Sequence, residues 1–515
     1  MSPVGVATLW KPGDGPLRGV APPADGFATA DRDIDCDVVI VGTGPGGAAC
    51  ARALALAGAK VWLVEEGPAE SRFRPNQGHT MRHHMQEGGG MVATGSTFVP
   101  IAAGRGVGGG SLINSAIAWR CPDYVLDGWT KALGDDRYSP ANVRPVYDEL
   151  WELLGIGPTR PEIGGRNNAL VVRGVEKLGL EGGWLDRATP GCVGCGVCYF
   201  GCPSLGKASV NLNLLVDAVA AGARIQAETK VTEVLVEGGR AVGVRGRMRH
   251  ADTNEPGGLV TVRAERVVIA AGGIGTPRLL HVAGLELGPA VGKGLHIHPG
   301  NAVLGWCDEP VELWKGATQG AWFHCPDLPG VLPHTFSAPP EACVSAAGAT
   351  GADAKRMLER LEYLCGLVVM ISDTGEGAVS AWGDGRARIT YDFAESDVVR
   401  IRKGMEWAAK VLLAGGATEV FAPVFGVKPC RTAEDLVAQL ETRALTDYTM
   451  YASHPMSTCR MGTDPATSVI RPDGRAHALD GLWLADSSIF PTSLGVNPSI
   501  TTMAMGTIIG RGIAG

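Results

Sequence analysis

Two short apolar runs near the start of the chain, Val38–Val41 and Val61–Val64, bracket an alanine-rich stretch. Uninterrupted runs of this length predict strands buried on both faces, as in a parallel sheet. The alanine-rich stretch between them favours a helix. A third run, "RVVIAA" (residues 266–271), predicts another buried strand leading into "GGIGTPRLLHVAG". Between these regions, "KVTEVLVEGGRAVGVRG" (Lys230–Gly246) alternates polar and apolar positions about Gly238-Gly239, which predicts a β-hairpin. The first 34 residues, rich in proline and glycine, read as an irregular leader. The pattern is that of an α/β protein without internal repeats or a long linker.

The turn after the first strand carries Gly42-x-Gly44-x-x-Gly47, with Pro45 and Gly46 between. Gly42 permits a tight turn, Gly44 lets backbone approach a pyrophosphate, and Gly47 lets helix and strand pack closely. Amide groups at the helix start then face the phosphates. Glu65 ends the second strand, 18 residues beyond Gly47, where an acid accepts hydrogen bonds from a ribose. Glu66 follows it as a further expected contact. This unit predicts a Rossmann-like dinucleotide site and by itself does not separate FAD from NAD.

Composition narrows the class. The 515 residues are 45% hydrophobic and 19% charged, which describes a chain with a sizeable core. A net charge of −7 argues against nucleic acid or anionic membrane surfaces as partners. The most apolar region, residues 37–64, is broken by glycine and proline and predicts no membrane span. The opening lacks a basic start followed by an apolar run, and nine of the 13 cysteines stand alone. Both features lead to the expectation of a reduced, cytoplasmic protein. The 74 glycines gather in clusters, consistent with backbone lying against a flat or phosphorylated group.

Four further segments carry a resemblance. "GRGVGGGSLINSAIAWR" (Gly104–Arg120) and "GGIGTPRLLHVAG" (Gly272–Gly284) resemble the two signatures of the glucose-methanol-choline (GMC) oxidoreductases. "HPMSTCRMG" (His454–Gly462) and "LADSSIFPTSLGVNPSITTMA" (Leu484–Ala504) are similar to the family's catalytic end. The resemblance implies FAD. It also implies a discontinuous FAD-binding domain, residues 35–125, 190–300 and 445–515. An interleaved substrate domain, residues 126–189 and 301–444, is then built on an antiparallel sheet with helices. Expected flavin contacts are Arg105, Gly110, Ser111 and Asn114, with Asp486 near the ribityl or phosphate region. Asn497-Pro498 is expected at the pyrimidine edge, and Val231 completes the cofactor set.

An alcohol oxidoreductase of this kind moves a hydride from the carbinol carbon to flavin N5 while a base takes the hydroxyl proton. Neutral imidazole suits that task near neutral pH. By the resemblance the base is His454, and Asn497 holds the alcohol oxygen against it. His83, His84, His250, His281 and His334 read as structural. His296 and His298 in "HIHP" have the spacing of neighbours on one strand face and could hold a metal, but are expected to be structural at the domain junction.

One motif stands apart. Cys192, Cys195, Cys198 and Cys202-Pro203 reproduce the ferredoxin spacing C-x2-C-x2-C-x3-C-P. An iron–sulfur cluster (3Fe-4S or 4Fe-4S), a zinc ion, or thiols free or locally disulfide-bonded all remain open for it. A cluster implies a dehydrogenase passing electrons to a quinone or redox protein; without one, oxygen or a small acceptor is expected. The predicted substrate part is rich in aromatic residues, including Trp306, Trp314, Trp322 and Phe323, so the expected substrate is an apolar or aromatic primary alcohol. Rival readings are a pure electron-transfer protein and a flavin photoenzyme of the same fold.

Overall fold

A computed structural model describes residues 24–70, 73–74, 76–340, 343–344 and 351–515. Residues 1–23 of the expected leader lie outside the described residues. The first strand, β1 (Arg32–Val41), begins inside that leader. It leads into α1 (Pro45–Leu56) and β2 (Val61–Val64). The same sheet takes β3 (Arg224–Gln226), β4 (Thr229–Glu237), β5 (Arg240–Arg249) and β6 (Pro256–Ile269), in the order β3-β2-β1-β6-β5-β4.

The chemistry of the runs explains the order. Val38, Val39 and Ile40 have no exposed surface, because β1 pairs in parallel with β2 on one side and β6 on the other. Helices cover the faces, as an all-apolar central strand requires. β4 and β5 form the antiparallel hairpin, turning at Gly238-Gly239 with Glu237 opposite Arg240. After β6 the chain enters α2 (Gly272–Val282). Gly42 has φ +102°, and a Cβ there would lie 2.3 Å from the Ala270 carbonyl oxygen. No other residue makes this turn without displacing β6.

The second sheet is antiparallel. It contains β7 (Gly300–Cys307), β8 (Val331–Thr335), β9 (Leu364–Ile371) and, after helix α3 (Glu395–Gly415), β10 (Ala417–Phe421). The order is β10-β7-β9-β8, extended by the short strands Ala321–Phe323 and Gly182–Trp184. Every residue of β9 is buried. Successive side chains alternate faces. Cys365, Leu367, Val369 and Ile371 share a core with Ile401, Met405 and Leu412 of α3. Leu364, Val368 and Met370 instead line a cavity between the two sheets. The chain then returns to the first sheet as β11 (Leu482–Leu484), parallel to β6, and runs into α4 (Ser499–Ala514), which packs on α1.

Packing redraws the expected division. Residues 126–154, expected in the substrate part, bury Trp129, Tyr138 and Tyr147 in the core of the nucleotide sheet. Trp129 Nε1 donates to Thr492 Oγ1 at 2.8 Å, and Tyr147 Oη lies 3.0 Å from Thr501 Oγ1. A small sheet also joins Val92–Gly95 and Val99–Pro100 to Glu376–Ala381 and Ala387–Asp392, across the two expected parts. Among the described residues no helix is long and apolar enough to cross a membrane.

Candidate active site

A cavity of about 660 Å³ runs from the first glycine turn to the inner face of the second sheet. At its nucleotide end the wall is Gly42, Gly44, Pro45, Gly46, Glu65 and Glu66. The first turn of α1 has no side-chain cap and no acidic residue. Its amide groups are therefore available to a phosphate. A Cβ added at Gly110 meets nothing within 4 Å, and one at Gly44 meets only Gly109 Cα at 3.8 Å. Both bare backbones border open space, so the cradle fits a pyrophosphate-linked cofactor lying directly on the chain. Gly47 lies off this wall; a Cβ there would sit 2.2 Å from the Gly42 carbonyl oxygen, so its task is helix–strand contact.

Glu65 is used differently from expectation. Its carboxylate accepts from Thr43 N (3.1 Å), Thr43 Oγ1 (2.7 Å), Gly67 N and Gly106 N (both 3.0 Å). Four bonds saturate two carboxylate oxygens. The expected ribose contact thus finds no free acceptor here, and Glu65 instead ties the first turn to the Gly104–Gly110 loop. Burial nevertheless raises its pKa against those bonds. Glu66, beside it, accepts from Arg278 Nη2 at 3.1 Å. Burial opposes its ionisation, but Arg278, Lys230 and Arg105 outweigh that and hold its carboxyl below the usual range.

Further along, Arg105, Gly110, Asn114, Val231, Asp486, Asn497 and Pro498 all line the cavity. Ser111 does not. Its hydroxyl donates to Gly108 O (2.7 Å) and accepts from Val210 N (3.1 Å), which pins the loop from behind. Asp486 accepts from Gly272 N (2.9 Å), Ser488 N (2.7 Å) and the Thr276 hydroxyl, anchoring the start of α2. Burial raises its pKa.

Where the two sheets meet, His454 Nε2 lies 3.2 Å from the Asn497 amide. His298 Nδ1 lies 3.3 Å from His454 Nδ1. His298 sits at φ +49°, in the left-handed region. Such a residue costs on the order of 1–3 kcal/mol and persists only where surroundings hold it. Asp373 does so, accepting from Ile297 N (2.9 Å) and His298 N (3.3 Å). The same carboxylate accepts from Tyr391 Oη and Ser493 Oγ, both at 2.8 Å. Burial opposes ionisation of Asp373, yet His296, His298 and the Ile297 N–H bring its pKa down to about 2.

The proton positions follow. Gly495 N donates to His298 Nε2 at 3.0 Å, so a neutral His298 carries its hydrogen on Nδ1 and donates to His454 Nδ1. Burial lowers the His298 pKa to about 4 and, with His298 and His334 nearby, pushes His454 well below the usual imidazole value. Both rings are neutral at pH 7, and the hydrogen of His454 rests on Nε2. Asn497 then turns its carbonyl toward Nε2 and its amide hydrogens toward the cavity; this amide orientation is assigned from the network.

His298, His334 and Gln319 all line the cavity, although the sequence reading left the two histidines structural and did not single out Gln319. The tryptophans and Phe323 do not line it. Trp306 stacks on Phe421 at 5.6 Å, Trp322 meets Trp119 edge-on at 4.6 Å, and Phe323 is fully buried. The apolar wall is instead Ala302, Leu304, Phe336, Leu364, Val368 and Met370. The four cysteines of the ferredoxin-like run line a separate small chamber beside Lys207. No two of the 13 cysteines are joined in this structure.

Comparison with known proteins agrees with this geometry. Residues 81–300 and 375–506 match the models of GMC oxidoreductases, and residues 35–87 match an FAD binding domain. An uncharacterized GMC-type oxidoreductase of Mycobacterium tuberculosis is 34% identical over 87% of this chain and 71% of its own length. A long-chain-alcohol oxidase of Arabidopsis thaliana is 29% identical over 89% of this chain and 65% of its own. Pyridoxine 4-oxidase from Mesorbium loti superposes with a TM-score of 0.71 at 19% identity, covering 92% of this chain and 98% of that one. At that identity the likeness speaks for the fold alone. With glycine cradle, paired imidazoles and these matches together, the chain belongs to the GMC oxidoreductase family.

Proposed function

We propose that this enzyme oxidises an apolar primary alcohol to the aldehyde, with His454 as base and Asn497 holding the alcohol oxygen. The observation that carries the reading is the His454–Asn497 pair, 3.2 Å apart, between a bare-backbone cradle and an aliphatic wall. When bound, FAD supplies the hydride acceptor. Gly42, Gly44, Pro45, Gly46 and Glu66, with Arg105, Gly110, Asn114, Val231, Asp486 and Pro498, would hold it.

The chain's own residues handle the proton. In the resting tautomer the Nε2 hydrogen of His454 is given to the Asn497 carbonyl, which leaves the Asn497 amide hydrogens to bind an alcohol oxygen. Accepting the hydroxyl proton there requires the other tautomer pair, in which His454 Nδ1–H donates to His298. His298 then carries its hydrogen on Nε2 and loses the Gly495 bond. Both tautomer pairs are neutral, but the two Nε2 atoms lie at opposite ends of the pair. One proton therefore crosses between the Nδ1 atoms, while the proton leaving His454 Nε2 and the one reaching His298 Nε2 are exchanged with solvent.

Leu364, Val368 and Met370 share one face of β9, and six residues of strand span about 20 Å. Met370 stands opposite Gly300, two residues beyond His298, and Leu364 stands opposite Trp306. An aliphatic wall of that length supports an extended apolar chain as substrate. The relatives named long-chain-alcohol oxidases support the same class. The acceptor of the electrons is oxygen, a quinone or a redox protein, and the cysteine run is read as an exit toward the last two. The unpaired thiols support a cytoplasmic setting.

Anaerobic mixing with a long-chain primary alcohol tests this. Flavin absorbance should fall with the native enzyme, and His454→Ala should slow that fall roughly 10²–10⁴-fold with FAD content unchanged. Undiminished reduction in the variant removes His454 from the reaction. Failure of every alcohol to reduce the native enzyme removes the alcohol reading.

A further inference from the structure

Two fully buried cations stand beside the four cysteines. Arg187 and Lys207 are each only 1% exposed, and among the described residues neither forms an ion pair with a carboxylate. Arg187 Nε and Nη2 donate to Ser115 O (3.0 and 2.9 Å), while Nη2 also reaches Cys198 Sγ and Thr318 Oγ1 at 3.4 Å. Its Nη1 is buried without a partner. Lys207 Nζ donates to three carbonyls, Leu112 (2.9 Å), Asn114 (2.8 Å) and Cys198 (3.1 Å). Carbonyls satisfy its hydrogens but leave its charge uncompensated. An isolated buried charge costs several kcal/mol, so buried cations are found against anions.

The available anion is sulfur. Cys192, Cys195, Cys198 and Cys202 line one small chamber with Lys207. We propose that these cysteines ligate a dianionic iron–sulfur cluster, for which Arg187 and Lys207 are the two built-in counter-charges. A four-iron core bearing two positive charges with four thiolates is dianionic, as is a three-iron core bearing one with three. Zinc with four thiolates has the same charge but needs the sulfurs about 3.8 Å apart around a 2.3 Å tetrahedron. Among the described residues no three of these sulfurs lie within 4.8 Å of one another. That spacing does not match a zinc tetrahedron. Gly194 N already donates to Cys192 Sγ at 3.4 Å.

The position gives the cluster its use. Lys207 and Arg187 hold the carbonyls of Asn114 and Ser115, two residues of the flavin-cavity wall, while Cys195 is exposed. The centre thus spans from cavity wall to surface. This deepens the electron-exit reading above and rests on it only for purpose; the site stands on charge and donor set.

Full-length protein, purified anaerobically and incubated with ferrous iron and sulfide, tests the inference. The expected result is roughly three or four irons and about four sulfides per chain, with visible absorption beyond the flavin bands. Lys207→Met and Arg187→Met should each lower the midpoint potential of the bound cluster, because a lost cation makes a further electron harder to add. Stoichiometric zinc, or less than one iron per chain with FAD retained, overturns the inference. In that case flavin reduction by alcohol still reports separately on the alcohol reading. A cluster whose potential is the same in both variants rejects the counter-charge role and leaves only ligation.

Discussion

His298 Nδ1 stands 3.3 Å from His454 Nδ1, although 156 residues separate them, and their ring planes cross at 83°. An edge-on ring presents its N–H to the lone pair of its neighbour. His298 therefore fixes both the orientation and the resting tautomer of the proposed base, while Asp373 fixes His298 through the backbone on either side of Ile297.

Removing that partner should misplace the base without emptying the cofactor site. His298→Ala is expected to slow flavin reduction by alcohol roughly 10²-fold, the scale of a 1 Å misplacement. His298→Gln, whose amide can still donate to His454, should recover part of the rate. Burial and the neighbouring His298 ring both depress the His454 pKa. In His298→Ala the acid limb of the rate–pH profile should accordingly move to higher pH. A profile that keeps its position while the rate falls would show a structural role only.

Acid should unfold the protein early. Burial lowers the pKa of both His298 and His334 to about 4 from an ordinary 6.5. The unfolded chain then binds more protons than the native one between those values, so stability falls as pH drops below 6.5 and the loss is complete below 4. Lowering the pH from 7 to 5 should cost about 2 kcal/mol for each ring. Denaturant midpoints at the two pH values measure it. His454 is depressed as well, so in His334→Gln the dependence should weaken by about a third.

Two glycines of the nucleotide end should respond in opposite ways to a side chain. A Cβ at Gly46 would lie 1.9 Å from the Ala485 carbonyl oxygen, so Gly46→Ala should prevent stable folding. At Gly110 nothing stands within 4 Å, so Gly110→Leu should fold and purify colourless, its side chain filling the cofactor space. Circular dichroism and flavin content separate the two outcomes. A yellow, fully loaded Gly110→Leu protein would take that loop out of the cofactor wall.

Chain-length selectivity should be set at the far end of β9. Leu364→Trp narrows the wall opposite Trp306, distant from His454. The expected effect is a loss of at least tenfold in kcat/KM for long apolar alcohols with short ones within about threefold, the range associated with one or two methylenes. Equal losses for both would mean that the substrate does not reach Leu364.

Local periodicity and turn chemistry were enough to find the strands at Val38 and Val61, the hairpin at Gly238-Gly239 and the helix between. Those elements depend on residues a few positions apart, and the spacing of apolar side chains reports their burial directly. The motifs likewise located His454 and Asn497. What a residue does with its neighbours was decided by the fold. Glu65 had the position of a ribose acceptor, but the approach of Thr43 and Gly106 took its oxygens. Trp306 and Phe323 had the composition of a pocket, yet sheet pairing turned them into core. His298 gained its task only when β7 and the segment after Tyr451 came side by side. Likewise, nothing within "CVGCGVCYFGCP" announces that Arg187 and Lys207 stand uncompensated beside it. Charge balance and hydrogen-bond saturation are properties of atoms close in space, and a linear pattern carries them only where neighbours in space are also neighbours in chain.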